Sequence, residues 1–235
     1  PWQFLNQYCG MLHKNGKQFI SCIAERPREY IPIIVDVDIK QKDQNKKMTS
    51  LYTQDLLKDV VFTYQRVIKE LMDCSDQELM CVVLEKKLYH VKSKNKTNPT
   101  ITAKNGFHLH FPCLFISTSD YSNHLLPKVC LELNEQGVFN GMEHTEAEHY
   151  IDKCCTKNPW LLYGSRKDVE KDPYLVSQII DHNGKTISLE KAFSNYIIYD
   201  QYEQPIPFVN NIQYYLPMIL STDINYRKVS KIKVQ

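Results

Sequence analysis

Two aspartates stand two residues apart at the end of a strongly apolar stretch of the chain. Asp36 and Asp38 follow the run Ile31–Val35, and only Val37 separates them. An apolar run rich in β-branched residues is typical of a buried strand, in which side chains at i and i+2 point to the same face. Two adjacent carboxylates repel each other unless a cation lies between them. The pair therefore predicts either a site for a hard divalent cation such as Mg²⁺ or Mn²⁺, or two solvated aspartates at a strand end.

A second stretch, Lys104–Pro112, alternates apolar with polar residues and carries His108 and His110 at two of the polar positions. As a strand, it would bury its apolar side chains on one face and turn both histidines to the other. Two histidines on an open face, after a lysine and a glycine, favour the wall of a cleft that meets anions or a metal ion. A structural role for the histidines is the alternative.

Two later stretches carry groups that bind cations or phosphates. Asp152 follows the bulky residues Tyr150 and Ile151. Further on, the apolar run Trp160–Tyr163 leads to Gly164, which we expect to turn the chain and expose the serine, arginine and lysine that follow it. A hydroxyl, a guanidinium and an ammonium in succession suit a polyphosphate. A solvated basic turn is the alternative.

The elements that must position these groups are of mixed type. Apolar residues recur at helical spacing over Leu51–Met72, after N-cap oxygens at Thr49-Ser50, and predict one amphipathic helix. Loops are expected at 40–47 and at the basic run Lys92–Asn105, which is also the best candidate for contact with a nucleic-acid backbone. The remaining expectations, in chain order, are a partly helical start (1–28), a strand at Met80–Glu85, a helix from Ser119 to Gly137, a strand at Tyr174–Ile180, a tight turn at His182–Lys185, a short helix at Ser188–Asn195 and irregular chain from Tyr196 onward.

The composition is that of an ordinary globular chain. Its net charge of +2 excludes a global attraction to polyanions, so any affinity for nucleic acid must come from local basic patches. No apolar run reaches the length of a membrane helix, and the N-terminus lacks a signal-peptide pattern. Because the chain starts at Pro1 rather than at a methionine, we expect it to be an excerpt of a longer protein.

Eight cysteines are scattered along the chain without a Cys-x-x-Cys pair, and several lie inside apolar patterns. We interpret them as reduced thiols in an intracellular, reducing compartment. A zinc site built from His144, His149 and Cys154 or Cys155 is the alternative, but this spacing matches no common zinc module.

Taken in chain order, the Asp-x-Asp strand, the Lys-x-Gly-x-His strand, the apolar-Asp pair and the Leu-Tyr-Gly-Ser-Arg-Lys turn resemble the archaeo-eukaryotic primase superfamily. Within it they are similar to the primase–polymerase domains of large DNA viruses, which typically precede a helicase in one long chain. The resemblance covers Tyr30–Lys167, and its most specific part is the Tyr-Gly-Ser-Arg-Lys turn. The three family motifs match, in order, Asp36/Asp38, Gly106–His108 and Ile151-Asp152.

The resemblance implies an α+β fold with two lobes, an N-terminal α/β lobe packed on an RRM-like lobe, with the active site in the cleft between them. It also implies one catalytic domain over residues 1–227, and a linker from 228 to 235 that leads to a C-terminal helicase region. Periodicity alone predicts only a mixture of helices and strands.

The resemblance further implies roles for individual residues. The metal ligands for two Mg²⁺ or Mn²⁺ ions would be Asp36, Asp38 and Asp152, with His108 as a further catalytic residue. His110, on the same face as His108, would be a supporting residue or part of the core. The nucleotide-binding residues would be Lys104, Gly106, His108, Ser165, Arg166 and Lys167.

Two positions depart from the family pattern. Gly106 stands where a serine is usual, so a hydroxyl contact to the nucleotide is lost or replaced by a backbone N–H. Leu161 stands where an arginine is common, so phosphate binding would depend on Lys104, Arg166 and Lys167. Neither change removes a metal ligand.

The implied activity is template-directed synthesis of short primers on single-stranded DNA, from NTPs or dNTPs, by a primase or primase–polymerase of viral DNA replication. For a virus, the compartment would be the cytoplasmic replication site or the nucleus of the host. Three alternatives remain open: a gap-filling or damage-bypass polymerase that cannot start chains, a non-catalytic template-binding module for a partner helicase, and a nucleotidyltransferase that acts on a small acceptor.

Overall fold

The computed structural model of the chain describes residues 2–15, 19–93, 99–200, 202, 204–206 and 211–223. Its helices are α1 (Trp2–Asn15), α2 (Gln54–Leu71), α3 (Thr118–Asp120), α4 (Leu126–Glu135), α5 (Leu189–Ala192) and α6 (Ile212–Ile219). Its strands are β1 (Ala24–Glu25), β2 (Tyr30–Lys42), β3 (Cys81–Glu85), β4 (Tyr89–Lys92), β5 (Ile101–Ser117), β6 (Trp160–Leu161), β7 (Leu175–Ile180), β8 (Ile198–Tyr199) and β9 (Pro205–Ile206). This is the expected α+β class.

The centre of the fold is an antiparallel sheet in which the strand order is β2-β5-β3-β7, with β4 paired to the start of β5. The two long strands β2 and β5 form its main ribbon, and their register shifts between Pro32 and Ile33. A shift is expected here because a proline cannot donate a ladder hydrogen bond. The predicted strands around Asp36, His108, Glu85 and Ile180 are all confirmed, and those around Asp36 and His108 are longer than the sequence pattern indicated.

Two hydrophobic cores cover opposite faces of this sheet. Strand β3 shows the division, because Cys81 and Val83 belong to the first core, whereas Val82 and Leu84 belong to the second. The first core packs β2 and β5 against α2 and α4. The second core packs the other face of the sheet against α1 and α6. The side chains of the candidate functional site lie on the face of the sheet that the second core covers.

Helix α2 supplies most of the helical side of the first core, and its amphipathic stripe is confirmed. The helix begins later than predicted, because the hydroxyl of Thr53 accepts a hydrogen bond from Leu56 N and caps it. The segment before it instead contacts β5, since Leu51 N donates to Oδ1 of Asn105 at 3.1 Å. The buried stripe consists of Leu57, Val60, Val61, Tyr64, Val67 and Ile68.

The prediction of a solvated loop over Lys92–Asn105 is wrong at both ends. Strand β4 reaches Lys92 and β5 begins at Ile101, and the two pair as a hairpin. The loop expected at 40–47 is likewise strand as far as Lys42, which pairs with Thr102. Long-range pairing overrides the polar local composition here, because each strand adds its backbone to an existing ladder. Residues 94–98, with two of the basic residues, lie outside the described residues.

Three further expectations change in the structure. The helix after β5 is capped by Ser117, whose hydroxyl accepts from Asp120 N, and not by Ser119. It runs through α3, a π-helical turn at Tyr121–Leu125 and α4. The region after Tyr196, expected to be irregular, contains α6, whose apolar residues pack in the second core beside α1. The expected linker at 228–235 lies outside the described residues.

Within the described residues, no helix has the length and apolar character needed to cross a membrane. All eight cysteines are free thiols. The rings of His144 and His149 stack on each other with centroids 4.1 Å apart.

Candidate active site

The three predicted metal ligands lie on neighbouring backbone segments. Ile151 forms an antiparallel bridge with Val37 on the free edge of β2. Two hydrogen bonds fix this bridge, from Asp38 N to Tyr150 O and from Asp152 N to Asp36 O, each 2.9 Å long. Residues opposite each other in an antiparallel pair project from the same face. Asp152 therefore lies beside Asp36 on the face that also carries Asp38, and we call these three residues the acidic wall.

The same register aligns His108 with the acidic wall. On the other side of β2, Asp36 pairs with His108, which in turn pairs with Leu84 of β3. Nε2 of His108 lies 3.4 Å from Oδ1 of Asp36. The histidine ring is held by stacking on Tyr174, with centroids 3.5 Å apart, and by contact with Trp160. The predicted cluster of aspartates and a histidine is thus formed by cross-strand register.

The side chains of the acidic wall point to different partners. Oδ2 of Asp38 forms an ion pair with Nζ of Lys40 at 3.0 Å, and Oδ1 of Asp152 accepts from Cys154 N at 2.8 Å. In the part of the chain that the structure describes, no three His, Cys, Asp or Glu side chains form a group that could hold a metal ion. The backbone positions thus bring the three acids together, whereas the side chains do not converge.

Two observations fit the acidic wall to a divalent cation. Oδ1 of Asp36 is buried and makes no hydrogen bond of good geometry, which leaves an oxygen ligand available. Burial would raise the pKa of Asp36, but His108, Lys86 and Lys167 outweigh burial and hold it below its usual value. The carboxylate is therefore ionised at neutral pH, as oxygen ligation of Mg²⁺ or Mn²⁺ requires.

Gly106 allows a close approach of β2 and β5. A Cβ at this position would lie 2.0 Å from the carbonyl oxygen of Val37, directly beside the Asp-x-Asp segment. A side chain here would push the two strands apart. The approach of the two strands in this chain therefore requires glycine at position 106.

The expectation that both histidines face an open cleft is wrong for His110. Its side chain lies on the same face as His108, but it is only 1% exposed. Its Nε2 accepts a hydrogen bond from Nε1 of Trp160 at 3.0 Å. Burial lowers the pKa of His110 to about 3, so the ring is neutral at physiological pH. His110 is part of the core, and it anchors the tryptophan that contacts His108.

The turn after Trp160 is formed as predicted at Gly164, which has a φ of +83°. The expected exposure of Ser165 is wrong, because this residue is 3% exposed. Its Oγ lies 2.9 Å from the hydroxyl of Tyr8 and donates to Oγ of Ser21 at 3.3 Å. The Tyr8 hydroxyl also donates to the carbonyl of the residue before Gly164. Ser165 thus ties the turn to α1 and to the segment before β1.

The two basic residues of the turn lie closer to solvent. Arg166 is half-buried, and its backbone N–H donates to Ser21 O at 2.7 Å. Lys167 is exposed and close enough to Asp36 to lower the pKa of that carboxyl group. Lys104, on β5, interacts with Lys167 and with Asp38, and burial is the main reason that its pKa is lowered. Two of the three predicted cations, Lys104 and Lys167, therefore lie close enough to the acidic wall to interact with it.

Three lysines of the site were not identified from the sequence. Lys40 pairs with Asp38, whereas Lys86 follows β3 and Lys171 precedes β7. Lys86 is half-buried and interacts with Asp36, Asp38, Lys167 and Lys171. Burial lowers its pKa, and the two aspartates oppose that shift. We call Lys86, Lys167 and Lys171, which all lie outside strands, the basic wall.

The signal that could have identified Lys86 is its position directly after a strand that pairs with β5. Glu85 pairs with Phe107, so the next residue emerges beside the Gly106–His108 segment. The sequence predicted the strand β3 but not its neighbour in the sheet, so Lys86 was not recognised as a candidate.

The fold and the site define a class of protein. It is an α+β domain with an antiparallel sheet, in which an acidic wall and a histidine on one sheet face are surrounded by lysines. The family described as the C962R protein N-terminal AEP domain matches residues 2–180. The chain belongs to this family of the archaeo-eukaryotic primase superfamily, which confirms the resemblance inferred from the motifs. Membership supports a primase-type function in general terms.

Viral proteins with provisional helicase names are similar to most of the chain. Protein 184R of Invertebrate iridescent virus 6 is 32% identical over 231 residues, which cover 93% of this chain and 23% of that protein. Protein 121R of Invertebrate iridescent virus 3 is 34% identical over 224 residues, with 90% of this chain and 23% of that protein covered. Protein L207/L206 of Acanthamoeba polyphaga mimivirus is 27% identical over 179 residues, 75% of this chain and 17% of that protein. The chain thus spans less than a quarter of the length of these relatives.

Proposed function

We propose that this chain is the catalytic domain of a template-directed DNA primase or primase–polymerase, which makes short primers on single-stranded DNA. The observation that carries the proposal is the row of cross-strand partners Asp152, Asp36 and His108 on one sheet face. Carboxylates that bind cations, next to a histidine and several lysines, suit the transfer of a nucleotide from a triphosphate.

The acidic wall is our candidate for metal binding. Asp36, Asp38 and Asp152 would hold Mg²⁺ or Mn²⁺, since they offer carboxylate oxygens on adjacent backbone segments. When bound, the cations would favour deprotonation of a 3′-hydroxyl and neutralise charge on the pyrophosphate leaving group. The present partners of Asp38 and Asp152 are an exposed lysine and a backbone N–H, so side-chain rotation is sufficient to release both carboxylates.

The remaining residues are assigned to the incoming nucleotide. His108 would donate to a phosphate oxygen next to Asp36, in an orientation that Tyr174 maintains. Lys104, Arg166 and Lys167 would neutralise the triphosphate. Gly106 would contribute to nucleotide binding indirectly, because it allows β2 and β5 to approach closely. Ser165 would contribute indirectly as well, because it holds the turn that carries Arg166 and Lys167.

The comparisons support a wider arrangement around this domain. The relatives are more than four times as long as their matched part, and their names describe helicases. We therefore assign residues 1–227 to one catalytic domain and 228–235 to a linker that leads to a helicase region, in a chain that serves viral DNA replication. The substrates would be a single-stranded DNA template with NTPs or dNTPs.

Primer synthesis on unprimed single-stranded DNA tests the proposal. The wild type, the double variant Asp36→Ala/Asp38→Ala and the control Asp59→Ala would each be incubated with NTPs or dNTPs, in Mg²⁺ and in Mn²⁺. Asp59 is an exposed carboxylate on α2, which packs on the face of the sheet opposite the acidic wall. We expect short products from the wild type and the control, and a loss of at least a thousandfold in the double variant.

Templates of different sequence separate the alternatives. Products that follow the template in composition support templated synthesis, and products that ignore it indicate a nucleotidyltransferase of another kind. Extension of a supplied primer without synthesis on the bare template indicates a non-initiating polymerase. Binding of single-stranded DNA without either reaction would overturn the proposal in favour of a template-binding module.

A further inference from the structure

A stack of alternating cations and aromatic rings extends from the acidic wall. The ring of Tyr174 covers His108 on one side, and Nζ of Lys86 lies 4.1 Å from the centroid of the same tyrosine ring. The same Nζ lies 5.1 Å from the ring of Tyr89, over which Nζ of Lys171 lies at 5.4 Å. Contacts of a lysine with an aromatic ring at such distances are attractive, and more so where water is partly excluded.

The stack positions Lys86 near the acidic wall, but it does not neutralise the charge of the lysine. Its carbonyl accepts a hydrogen bond from Nδ2 of Asn105, a buried residue of β5, so the lysine backbone is tied to the central sheet. Its ammonium group interacts with Asp36 and Asp38. Nevertheless, among the described residues no carboxylate oxygen lies within ion-pair distance of this ammonium group, whereas Asp38 pairs with Lys40 and Asp36 with His108.

A cation of this kind can bind a polyanion that enters the candidate site. Lysine offers three N–H donors on one compact charge and binds phosphate as a point charge. The lysines around the site outnumber the three aspartates of the acidic wall. Cations on the acidic wall would remove the attraction of Asp36 and Asp38 for Lys86 and leave its donors available to phosphate oxygens.

We propose that Lys86 binds the triphosphate of the incoming nucleotide, that Tyr89 and Tyr174 position its ammonium group, and that Lys171 completes this phosphate subsite. The inference rests on the proposed function, because it assigns the substrate of that reaction to these residues. A nucleotide triphosphate fits better than the backbone of the template strand. Lys86 is half-buried between two rings beside His108, whereas Lys40 offers a far more exposed cation to a continuous strand.

Equilibrium binding tests the subsite without catalysis. Isothermal titration calorimetry with dATP, dAMP and a single-stranded oligonucleotide, each in Mn²⁺, would compare the wild type with Lys86→Met, Lys86→Arg and Lys87→Met. Lys87 is the matched control, since it is the adjacent lysine and is exposed. Thermal unfolding of each variant would show that the fold is retained.

We expect Lys86→Met to weaken dATP binding about tenfold or more, because a hydrogen bond between charged partners is lost. Binding of dAMP and of the oligonucleotide should change by less than about twofold, and Lys86→Arg should restore part of the dATP affinity. Tyr89→Leu should weaken dATP binding more than Tyr89→Phe, which keeps the ring. Wild-type affinity of Lys86→Met for dATP overturns the inference, as does an equal loss for the oligonucleotide, or no dATP binding by the wild type.

Incorporation assays separate this inference from the proposed function. If Lys86→Met weakens dATP binding but the wild type incorporates no nucleotide, the phosphate subsite stands and the primase function fails. If the wild type makes primers and Lys86→Met does so with unchanged KM, the function stands and the subsite fails. A raised KM with a smaller change in kcat supports both.

Discussion

The acidic wall and the basic wall interact electrostatically but are built in different ways. Asp36 lies inside the longest ladder of the sheet, and Asp152 is attached to its edge by two backbone hydrogen bonds. Lys86, Lys167 and Lys171 lie on connections, which side-chain contacts with tyrosines and serines hold in place. Backbone ladders resist local substitutions, whereas side-chain contacts can be removed one at a time. We therefore expect the proposed metal-binding part to fail as a unit and the proposed phosphate-binding part to weaken in steps.

The largest effect is expected from a substitution that separates the two long strands. Gly106→Ser adds a Cβ that would lie 2.0 Å from Val37 O, so β2 and β5 must move apart or strain the backbone. We expect a loss of about 1 to 3 kcal/mol in the free energy of unfolding, as for other overpacked sites. Metal and nucleotide binding should fall together, because Asp36 and His108 lie on these two strands.

Denaturant unfolding and calorimetry with Mn²⁺ would measure this effect, and Gly10→Ala is the matched control. A Cβ at Gly10, in α1, meets only the Tyr214 hydroxyl at 3.4 Å and gains helix propensity. If Gly106→Ser is as stable as the wild type, the β2–β5 pair can accommodate a side chain. The acidic wall would then not be held as rigidly as we infer.

A smaller effect on stability is expected from His110. Its hydrogen bond with Trp160 links β5, which carries His108, to the segment that leads to Lys167. Burial holds the pKa of His110 near 3, whereas an unfolded histidine has a pKa of about 6.5. Below pH 6.5 the unfolded state binds a proton that the folded state excludes, so stability falls as the pH decreases. The loss from this group between pH 7 and 5.5 should be about 1 kcal/mol.

The variant His110→Gln isolates this contribution, because glutamine can still accept a hydrogen bond from Trp160 but does not titrate. Denaturant midpoints at the two pH values would be compared for the wild type and the variant. The variant should lose less stability on acidification, and an identical pH dependence in both proteins would contradict the burial of a neutral imidazole.

The smallest effect is expected at the turn that carries Lys167. Tyr8→Phe removes the hydroxyl that contacts Tyr163 O and Ser165 Oγ. One hydrogen bond of this kind contributes about 0.5 to 1 kcal/mol, so we expect KM for the nucleotide to rise about twofold to fivefold with less change in kcat.

Steady-state incorporation would measure this split, with Tyr202→Phe as the control, since that tyrosine is 72% exposed. A fall in kcat without a change in KM would mean that the turn acts on the acidic wall and not on phosphate binding. The two parts of the site would then not be separable.

The elements predicted from the sequence are those with a strong local period. The stripe of α2 and the alternation of β5 follow from side-chain spacing, and both are confirmed. The helix α6 was missed because its residues are apolar on several sides and it contains Pro217, so no period was visible. The hairpin of β4 and β5 was missed because its polar residues resemble a loop until a partner strand is present.

The sequence by itself determined which chemistry is available. The Asp-x-Asp spacing alone brings two carboxylates to one face, because a strand has a period of two residues. Motif order alone indicated the family. The tertiary structure decided which groups meet: it aligned Asp152 with Asp36, buried His110 and Ser165, and brought Lys86 close to Asp36 and Asp38. These outcomes depend on register and packing between segments far apart in the chain, which no local pattern encodes.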